Sequence, residues 1–207
     1  MEPRYNPHIF VQDNMEAAKA IILTPECGLT TQQRWDQETP WLMERIAFRN
    51  DEELVIDYGC GIGRIAKLLK NPVLGIDISP PMRHMAEVYT AREGFATAHS
   101  LMLQQFVKAG LRAHGAIAIW ALQHVFDLEF DVQLLHRAIK PGGILWTLNQ
   151  TRRYIPAIYE DDKFTWIDDG KSVIAELEAV GFEQEHSEIP PADLCQPGAE
   201  LIEWLRL

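Results

Sequence analysis

The sequence predicts an α/β fold with a doubly wound, mostly parallel sheet. Short apolar runs alternate with segments of helical periodicity, as in consecutive strand–helix units. One of these runs, residues 54–56, leads into three glycines at alternate positions, Gly59, Gly61 and Gly63. Another, residues 115–122, is apolar almost throughout, which is typical of a central parallel strand covered on both faces. Right-handed crossovers between such units give one open sheet.

The first 50 residues precede this pattern and are predicted to form an N-terminal helical cap. Asp13 or Asn14 is a suitable start for a helix that runs to about Leu23. Thr39 followed by Pro40 is typical of a second helix start.

The glycine segment is predicted as a strand, a tight turn and a helix that carries Ile65, Leu68 and Leu69 on one face. Glycines accept positive φ and let a ligand approach the backbone, while a helix start offers free N–H groups. Cys60, inside the turn, is either a small packing residue or a reactive thiol, and we favour packing.

The next apolar run, residues 73–76, ends at Asp77. A carboxylate in this place can accept hydrogen bonds from both hydroxyls of a ribose. The dinucleotide fingerprint requires a small residue where this chain has Arg64. The pair of features therefore favours a nucleoside-containing ligand that is not a dinucleotide.

The remaining elements repeat the alternation of strands and helices. Helix starts are predicted at Ser79, near Leu101, at Asp127 and at Asp168 or Asp169. The further strands are predicted over residues 95–99, 115–122, 144–149, 182–189 and 201–207.

These motifs resemble the class I S-adenosylmethionine-dependent methyltransferases. Their first motif matches Asp57, Gly59, Cys60, Gly61 and Gly63, their second-strand acid matches Asp77, and a PGG turn follows at residues 141–143. The resemblance covers roughly residues 50–150. It implies a seven-stranded Rossmann-like sheet with an antiparallel edge strand, in which the last strand is inserted beside its partner. Residues 51–150 are then the cofactor-binding core, and residues 151–207 supply a substrate-facing loop, a helix and the C-terminal strand pair.

The resemblance also implies that S-adenosylmethionine is the cofactor and S-adenosylhomocysteine the product. The family often has an acid after the third strand to bind the adenine amino group, but this chain has His99, Ser100 and Leu101 there. Ser100 or a backbone carbonyl is expected to replace it. The expected cofactor-binding residues are Arg34, Asp57, Gly59, Cys60, Gly61, Gly63, Asp77, Ile78, Ser100, Leu101 and Trp120.

The acceptor is expected to lie near His124, at the end of the central strand. His124 is either a general base or a residue that shapes the pocket wall. Residues 150–167 break the alternation and are predicted as a long substrate-facing loop, or as a surface segment pinned by its aromatic side chains. Arg34 and Trp35 are either ligand contacts or anchors of the cap. The expected substrate-binding residues are Trp35, Gln123, His124, Tyr154 and Tyr159.

Composition restricts the partners. The net charge of −11 and the pI of about 5.0 argue against nucleic acid, whose phosphates are bound by clustered Lys and Arg. Three separated cysteines without a CxxC motif indicate neither disulfides nor a zinc site, and fit a cytoplasmic location. No signal sequence or membrane span is expected. We expect a small-molecule acceptor and no metal, and leave a homo-oligomer open.

Two other functions fit this sequence. One is a non-catalytic protein that binds S-adenosylmethionine or acts as a scaffold. The other is a nicotinamide-dependent oxidoreductase, which Arg64 argues against.

Overall fold

The structure is a computed structural model that describes residues 2–195 and 197–207. Strands and helices alternate along most of this length, as predicted. The strands are β1 (Arg4–Tyr5), β2 (Val55–Tyr58), β3 (Val73–Ile76), β4 (Phe95–Ala98), β5 (Ala113–Ile119), β6 (Ile139–Gln150), β7 (Ile155–Ile158), β8 (Phe164–Ile167), β9 (Phe182–Glu188) and β10 (Ala199–Arg206). The helices are α1 (Met15–Ile22), α2 (Thr31–Met43), α3 (Pro80–Thr90), α4 (Ser100–Lys108), α5 (Leu128–Ala138) and α6 (Val173–Ala179).

The main sheet has seven strands in the order β4-β3-β2-β5-β6-β10-β9. Strands β2 to β6 pair in parallel, whereas β10 is antiparallel to both β6 and β9. This confirms the Rossmann-like sheet and the inserted last strand. The antiparallel strand, however, lies second from the edge, and β9 forms the edge itself.

A second, three-stranded sheet has the order β1-β7-β8. The prediction of a long loop over residues 150–167 was therefore wrong, because this segment folds into an antiparallel hairpin that pairs Ile155 with Ile167. The N-terminal strand β1 then pairs Arg4 with Ile158 along the outer side of the hairpin. The N-terminal segment and the hairpin that follows β6 are thus joined in one small sheet.

The helix expected after the glycines is absent, since residues 61–68 form a series of turns. The N–H of Lys67 donates to the carbonyl of Gly63, but the N–H of Leu68 donates to Ile65, three residues back. Bonds over three residues tighten the chain and interrupt the regular ladder of an α-helix. The glycine segment is therefore a wrapped turn rather than a helix start.

The helices of the cap are partly as predicted. Asn14 caps α1, because its side chain accepts from the N–H of Ala17, which confirms that start. The second start was wrong: α2 begins after Thr30, which forms a capping box with Gln33, and Pro40 lies within the helix. Similarly, α6 is capped by Ser172 and not by Asp168 or Asp169, whose carboxylates close the turns before it.

The two faces of the sheet carry separate parts of the core. Successive side chains of a strand point to opposite faces, so Tyr58 packs toward α4 and α5 while Val55 packs toward the cap. The alternation places Asp57 on the same face as Val55. Among the described residues, no helix combines the length and the apolar character needed to cross a membrane.

Candidate functional site

A cavity of about 320 Å³ opens at the carboxyl ends of β2, β3 and β5. Open α/β sheets bind their ligands at this edge. The cavity brings together seven of the predicted site residues, namely Gly59, Gly61, Asp77, Ile78, Ser100, Trp120 and His124. Its other lining residues are Tyr5, Phe10, Ile21, Ile22, Tyr58, Ile76, Met82, Ile119, Ala121, Val125, Phe126, Asp127, Phe130 and Asp131.

The glycine turn forms the floor of the cavity. The N–H groups of Gly59 and Cys60 both donate to the carbonyl of Ile76, at 2.7 and 3.0 Å, which holds the turn against β3. Gly59 has φ +77° and Gly61 has φ +52°. A Cβ on Gly59 would overlap the Cβ of Ala121, and one on Gly61 would lie 2.7 Å from Cδ1 of Ile22. The two glycines thus leave bare backbone at the cavity floor, where there is no space for a side chain.

The variant Gly59→Ala is expected to be less stable than Gly142→Ala. Both glycines have positive φ, but only Gly59 faces a neighbour, because nothing lies within 4 Å of a Cβ built on Gly142. A left-handed alanine costs about 1–2 kcal/mol at either position. Overpacking against Ala121 adds about 1–3 kcal/mol for Gly59→Ala. Urea denaturation of both variants measures the difference, and equal loss in the two would contradict the packing described here.

Asp77 is held rigidly at the end of β3. Its Oδ2 accepts from the N–H of Gly61 at 2.9 Å, and its Oδ1 accepts from the N–H of Ser79 at 2.8 Å. Burial raises the pKa of the Asp77 carboxyl above its ordinary value, against the lowering effect of these two bonds. Since a carboxylate oxygen accepts more than one hydrogen bond, each oxygen keeps an acceptor site for a ligand.

Trp120 lines the cavity in a strained conformation. Its φ is +57°, which is rare for a bulky residue and characteristic of functional sites. Two hydrogen bonds hold it there: its N–H donates to Leu148, and its indole Nε1 donates to Oε1 of Glu38 at 2.8 Å. The side chain of Trp120 is therefore anchored to the cap helix α2.

Glu38 also forms ion pairs with two arginines, Arg34 and Arg64. The carboxylate accepts from Nη2 of Arg34 at 3.0 Å and from Nη2 of Arg64 at 2.9 Å. Nη1 of Arg34 pairs with Glu26 at 2.8 Å. Arg34 does not line the cavity, so the geometry gives no support to its predicted contact with the cofactor, and instead makes it an anchor of the cap. Trp35 is likewise an anchor, packed edge-on against Tyr89.

Three other predicted cofactor residues support the turn from behind. Burial raises the pKa of Asp57 to about 7, with Arg64 acting in the opposite direction. Burial also raises the pKa of the Cys60 thiol well above its ordinary value, so the thiol stays protonated and acts as a packing group, as favoured. Gly63 backs onto Thr90 of α3. Leu101 is exposed and lies outside the lining of the cavity.

His124 is oriented by hydrogen bonds on both ring nitrogens. Nδ1 lies 2.6 Å from the carbonyl oxygen of Tyr154, so it carries the proton and donates. Nε2 lies 3.0 Å from the amide nitrogen of Gln123, which donates to it. Burial lowers the pKa of His124 to about 4, so the ring is neutral at pH 7. Gln123 and Tyr154 thus act on the site through His124, and Tyr159 lies in the turn of the β7–β8 hairpin.

Aromatic side chains surround His124 at one end of the cavity. Its ring centroid lies 5.4 Å from that of Phe10 and 5.5 Å from that of Trp166. Phe164 packs edge-on against Trp166 at 5.2 Å. The hairpin therefore reaches the site through Trp166, whereas Tyr154 and Tyr159 were the residues selected from the sequence. Only the aromatic enrichment of residues 150–167 indicated this contact.

Tyr5, Tyr58 and Asp131 form a polar group elsewhere in the cavity that was missed from the sequence. The hydroxyl of Tyr58 donates to Oδ1 of Asp131. Burial raises the pKa of Asp131 to about 6 and that of Tyr5 to about 12, and the negative charge of Asp131 contributes to the shift of Tyr5. No signal in the sequence joins Asp131 to Tyr58, since 73 residues separate them.

Comparisons with known proteins identify this arrangement. Residues 56–147 match the family model of the methyltransferase domain. Residues 56–147 thus form a domain of the class I S-adenosylmethionine-dependent methyltransferase type. A structure of such a methyltransferase from Mesorhizobium loti is similar in fold, with a TM-score of 0.60, 22% identity, and coverage of 83% of this chain and all of the other. The resemblance seen in the motifs and the prediction of S-adenosylmethionine as cofactor are thereby confirmed.

Two further similarities concern activity. A ubiquinone biosynthesis O-methyltransferase of Methylobacterium nodulans is 31% identical over 105 residues, which cover 48% of this chain and 42% of that relative. The chain therefore matches less than half of the length of this methyltransferase. The structure of the [4+2]-cyclase SpnF shares the fold, with a TM-score of 0.62, 17% identity, and coverage of 89% of this chain and 86% of the other. The fold alone thus leaves the chemistry at the acceptor end open.

Proposed function

We propose that this methyltransferase transfers a methyl group from S-adenosylmethionine to an oxygen atom of a small-molecule acceptor. The observation that carries the proposal is one continuous cavity, in which the glycine turn and Asp77 line one part and the aromatic group around His124 lines another. The choice of oxygen rests on the O-methyltransferase relative. Nitrogen and carbon acceptors are the alternatives that the same cavity allows.

The residues of the cavity fit this cofactor. The glycine turn offers bare backbone, and Asp77 offers two fixed acceptors for ribose hydroxyls. The bound cofactor supplies a methyl group that is already activated on a sulfonium. The protein then has to bring an acceptor atom in line with that methyl group, which is an effect of proximity and orientation.

The walls of the cavity indicate which acceptors enter. Phe10, Ile119, Trp120 and His124 provide an apolar and aromatic surface at the proposed acceptor end. The charged lining residues are Asp77, Asp127 and Asp131, and no lysine or arginine lines the described part of the cavity. This balance disfavours anionic acceptors, because no lining cation compensates a buried negative charge.

For His124, the hydrogen bonds on both nitrogens and the low pKa favour a role in shaping and orienting the acceptor end over general-base catalysis. A weakly basic ring is sufficient for such a role. The three free cysteines among the described residues support the expected cytoplasmic location, where thiols stay reduced.

The test combines binding with turnover on the purified protein. Calorimetry is expected to show binding of S-adenosylmethionine and S-adenosylhomocysteine and none of NADH. A panel of neutral phenols and alcohols is then incubated with S-adenosylmethionine, and S-adenosylhomocysteine release and product mass are measured. A phenol carrying an added carboxylate is expected to react more slowly than its neutral parent. Transfer to nitrogen or carbon but not to oxygen would contradict the proposal, and tight NADH binding without S-adenosylmethionine binding would overturn it.

A further inference from the structure

The end of β4 has no carboxylate to bind the amino group of an adenine. Nδ1 of His99 accepts from the N–H of Leu101 at 3.1 Å and so caps α4. Ser100 is the one residue of this turn that lines the cavity. A purine placed next to Asp77 would therefore find the Ser100 hydroxyl but no carboxylate in this turn.

Asp131 supplies a carboxylate to the same cavity from another element. It lies in the first turn of α5 and lines the same cavity as Asp77, Ile78 and Ser100. Tyr58, which donates to its Oδ1, is the last residue of β2 and pairs in register with Ile76 of β3. Asp131 is thus anchored to the last residue of β2, the strand that neighbours β3.

The carboxylates of Asp131 and Asp77 both influence the pKa of Tyr5. After burial, Asp131 is the largest influence that raises the pKa of Tyr5, and Asp77 raises it as well. The ring of Tyr5 packs against Phe126, with 5.0 Å between the ring centroids. Tyr5, Asp77 and Asp131 all line the same cavity.

The walls of this cavity suit a flat base. Among the residues that line the cavity, Ile76, Ile78, Val125 and Phe130 present apolar surface. Apolar walls with a few convergent polar groups are the usual form of a site for a small molecule. The convergent groups here are the Asp131 carboxylate and the hydroxyls of Tyr5 and Tyr58.

We infer that Asp131 accepts a hydrogen bond from the exocyclic amino group of the adenine, and that Tyr58 is the positioning residue that orients it. The inference deepens the proposed function, on which it rests, by identifying the residue that distinguishes adenine from other purines. An ionised carboxylate is only an acceptor, so it pairs with the amino group of adenine. Against hypoxanthine, whose 6-position is a carbonyl oxygen, two acceptors face one another.

The test measures binding of S-adenosylhomocysteine and S-inosylhomocysteine by calorimetry at pH 8, where the Asp131 carboxylate is ionised. The wild-type protein is expected to prefer the adenine compound by about tenfold to a hundredfold, because a hydrogen bond to a charged acceptor is at stake. The variant Asp131→Asn should reduce this ratio to about unity, since its amide donates to a carbonyl as well as accepting from an amino group. Glu129→Gln, at an exposed position in the same turn of α5 and outside the cavity lining, should leave the ratio unchanged.

Two outcomes would overturn the inference alone. One is an Asp131→Asn variant that still binds S-adenosylhomocysteine and keeps the wild-type ratio of the two affinities. This includes a variant in which only the KM of an acceptor changes. The other is loss of the ratio in Glu129→Gln. Failure of the wild-type protein to bind S-adenosylhomocysteine would overturn the proposed function together with the inference. If Asp131→Asn does not fold, Tyr58→Phe decides: its ratio should fall below the wild-type value, and an unchanged ratio would count against the inference.

Discussion

Replacing Glu38 by glutamine is expected to lower the free energy of unfolding by about 3–5 kcal/mol, the usual cost of removing one partner from a buried ion pair. Glu38, Arg34 and Arg64 are 2%, 3% and 4% exposed, so solvent cannot compensate for the lost charge. The amide of glutamine has one acceptor oxygen for three donors, which are the two guanidinium groups and the indole of Trp120. At least one of the three donors then loses its bond to residue 38, and Arg64 loses its charged partner, whereas Arg34 keeps its pair with Glu26.

The matched control is Glu44→Gln. Glu44 follows the same helix and pairs with Arg45 at 3.5 Å, but its side chain is 75% exposed. An exposed pair of this kind contributes at most about 1 kcal/mol. Urea denaturation of both variants gives the two changes in free energy. A loss below about 1 kcal/mol in Glu38→Gln would contradict the assignment of Glu38 to a buried network of ion pairs.

Much of the sheet follows from local patterns in the sequence. Residues 54–56, 73–76 and 115–122 are apolar runs, and each becomes part of a strand of the parallel sheet. Asn14, Ser79 and Asp127 begin helices as predicted, because capping is decided within a few residues. The capping box of Thr30 and Gln33 is also a local signal in the sequence. Thr39-Pro40, however, suggested a helix start that tertiary packing overrides.

The parts that were not predicted depend on contacts between distant residues. Strand β1 has only two residues and exists because it pairs with β7, more than 150 positions along the chain. The periodicity of so short a segment carries no information. Likewise, Arg34 and Trp120 have the chemistry of ligand contacts in the sequence. Only the folded chain shows that Glu38 binds the guanidinium of the first and the indole of the second.

The residues of the site also fall into a group that local sequence predicts and a group that depends on tertiary contacts. The residues whose position follows from a strand end, such as Gly59, Gly61 and Asp77, line the cavity as expected. Phe10 and Asp131 line the cavity from the N-terminal segment and a helix face, and Trp166 of the hairpin packs against Phe10. Motif spacing therefore predicted lining residues that follow strand ends, whereas lining residues from other elements became apparent only in the structure.

Asp77→Ala is expected to weaken the binding of S-adenosylhomocysteine by at least about a hundredfold, because two hydrogen bonds to a carboxylate are lost together. The change also removes the acceptor of the Gly61 N–H, so the glycine turn loses its anchor to the end of β3. Calorimetry on the folded variant measures the affinity, and thermal unfolding in the absence of ligand reports the structural part separately.

Glu87→Gln is the control for Asp77→Ala, since Glu87 lies on the adjacent helix α3 and accepts from the hydroxyl of Thr97 at an exposed position. It should leave the affinity unchanged. A second measurement uses pH: burial raises the pKa of Asp77, so the wild-type affinity should begin to fall at a higher pH than an ordinary aspartate would cause. Protonation removes an acceptor from the ribose, so the affinity decreases as the pH decreases. An affinity that Asp77→Ala leaves intact would show that the ribose hydroxyls are bound elsewhere in the cavity.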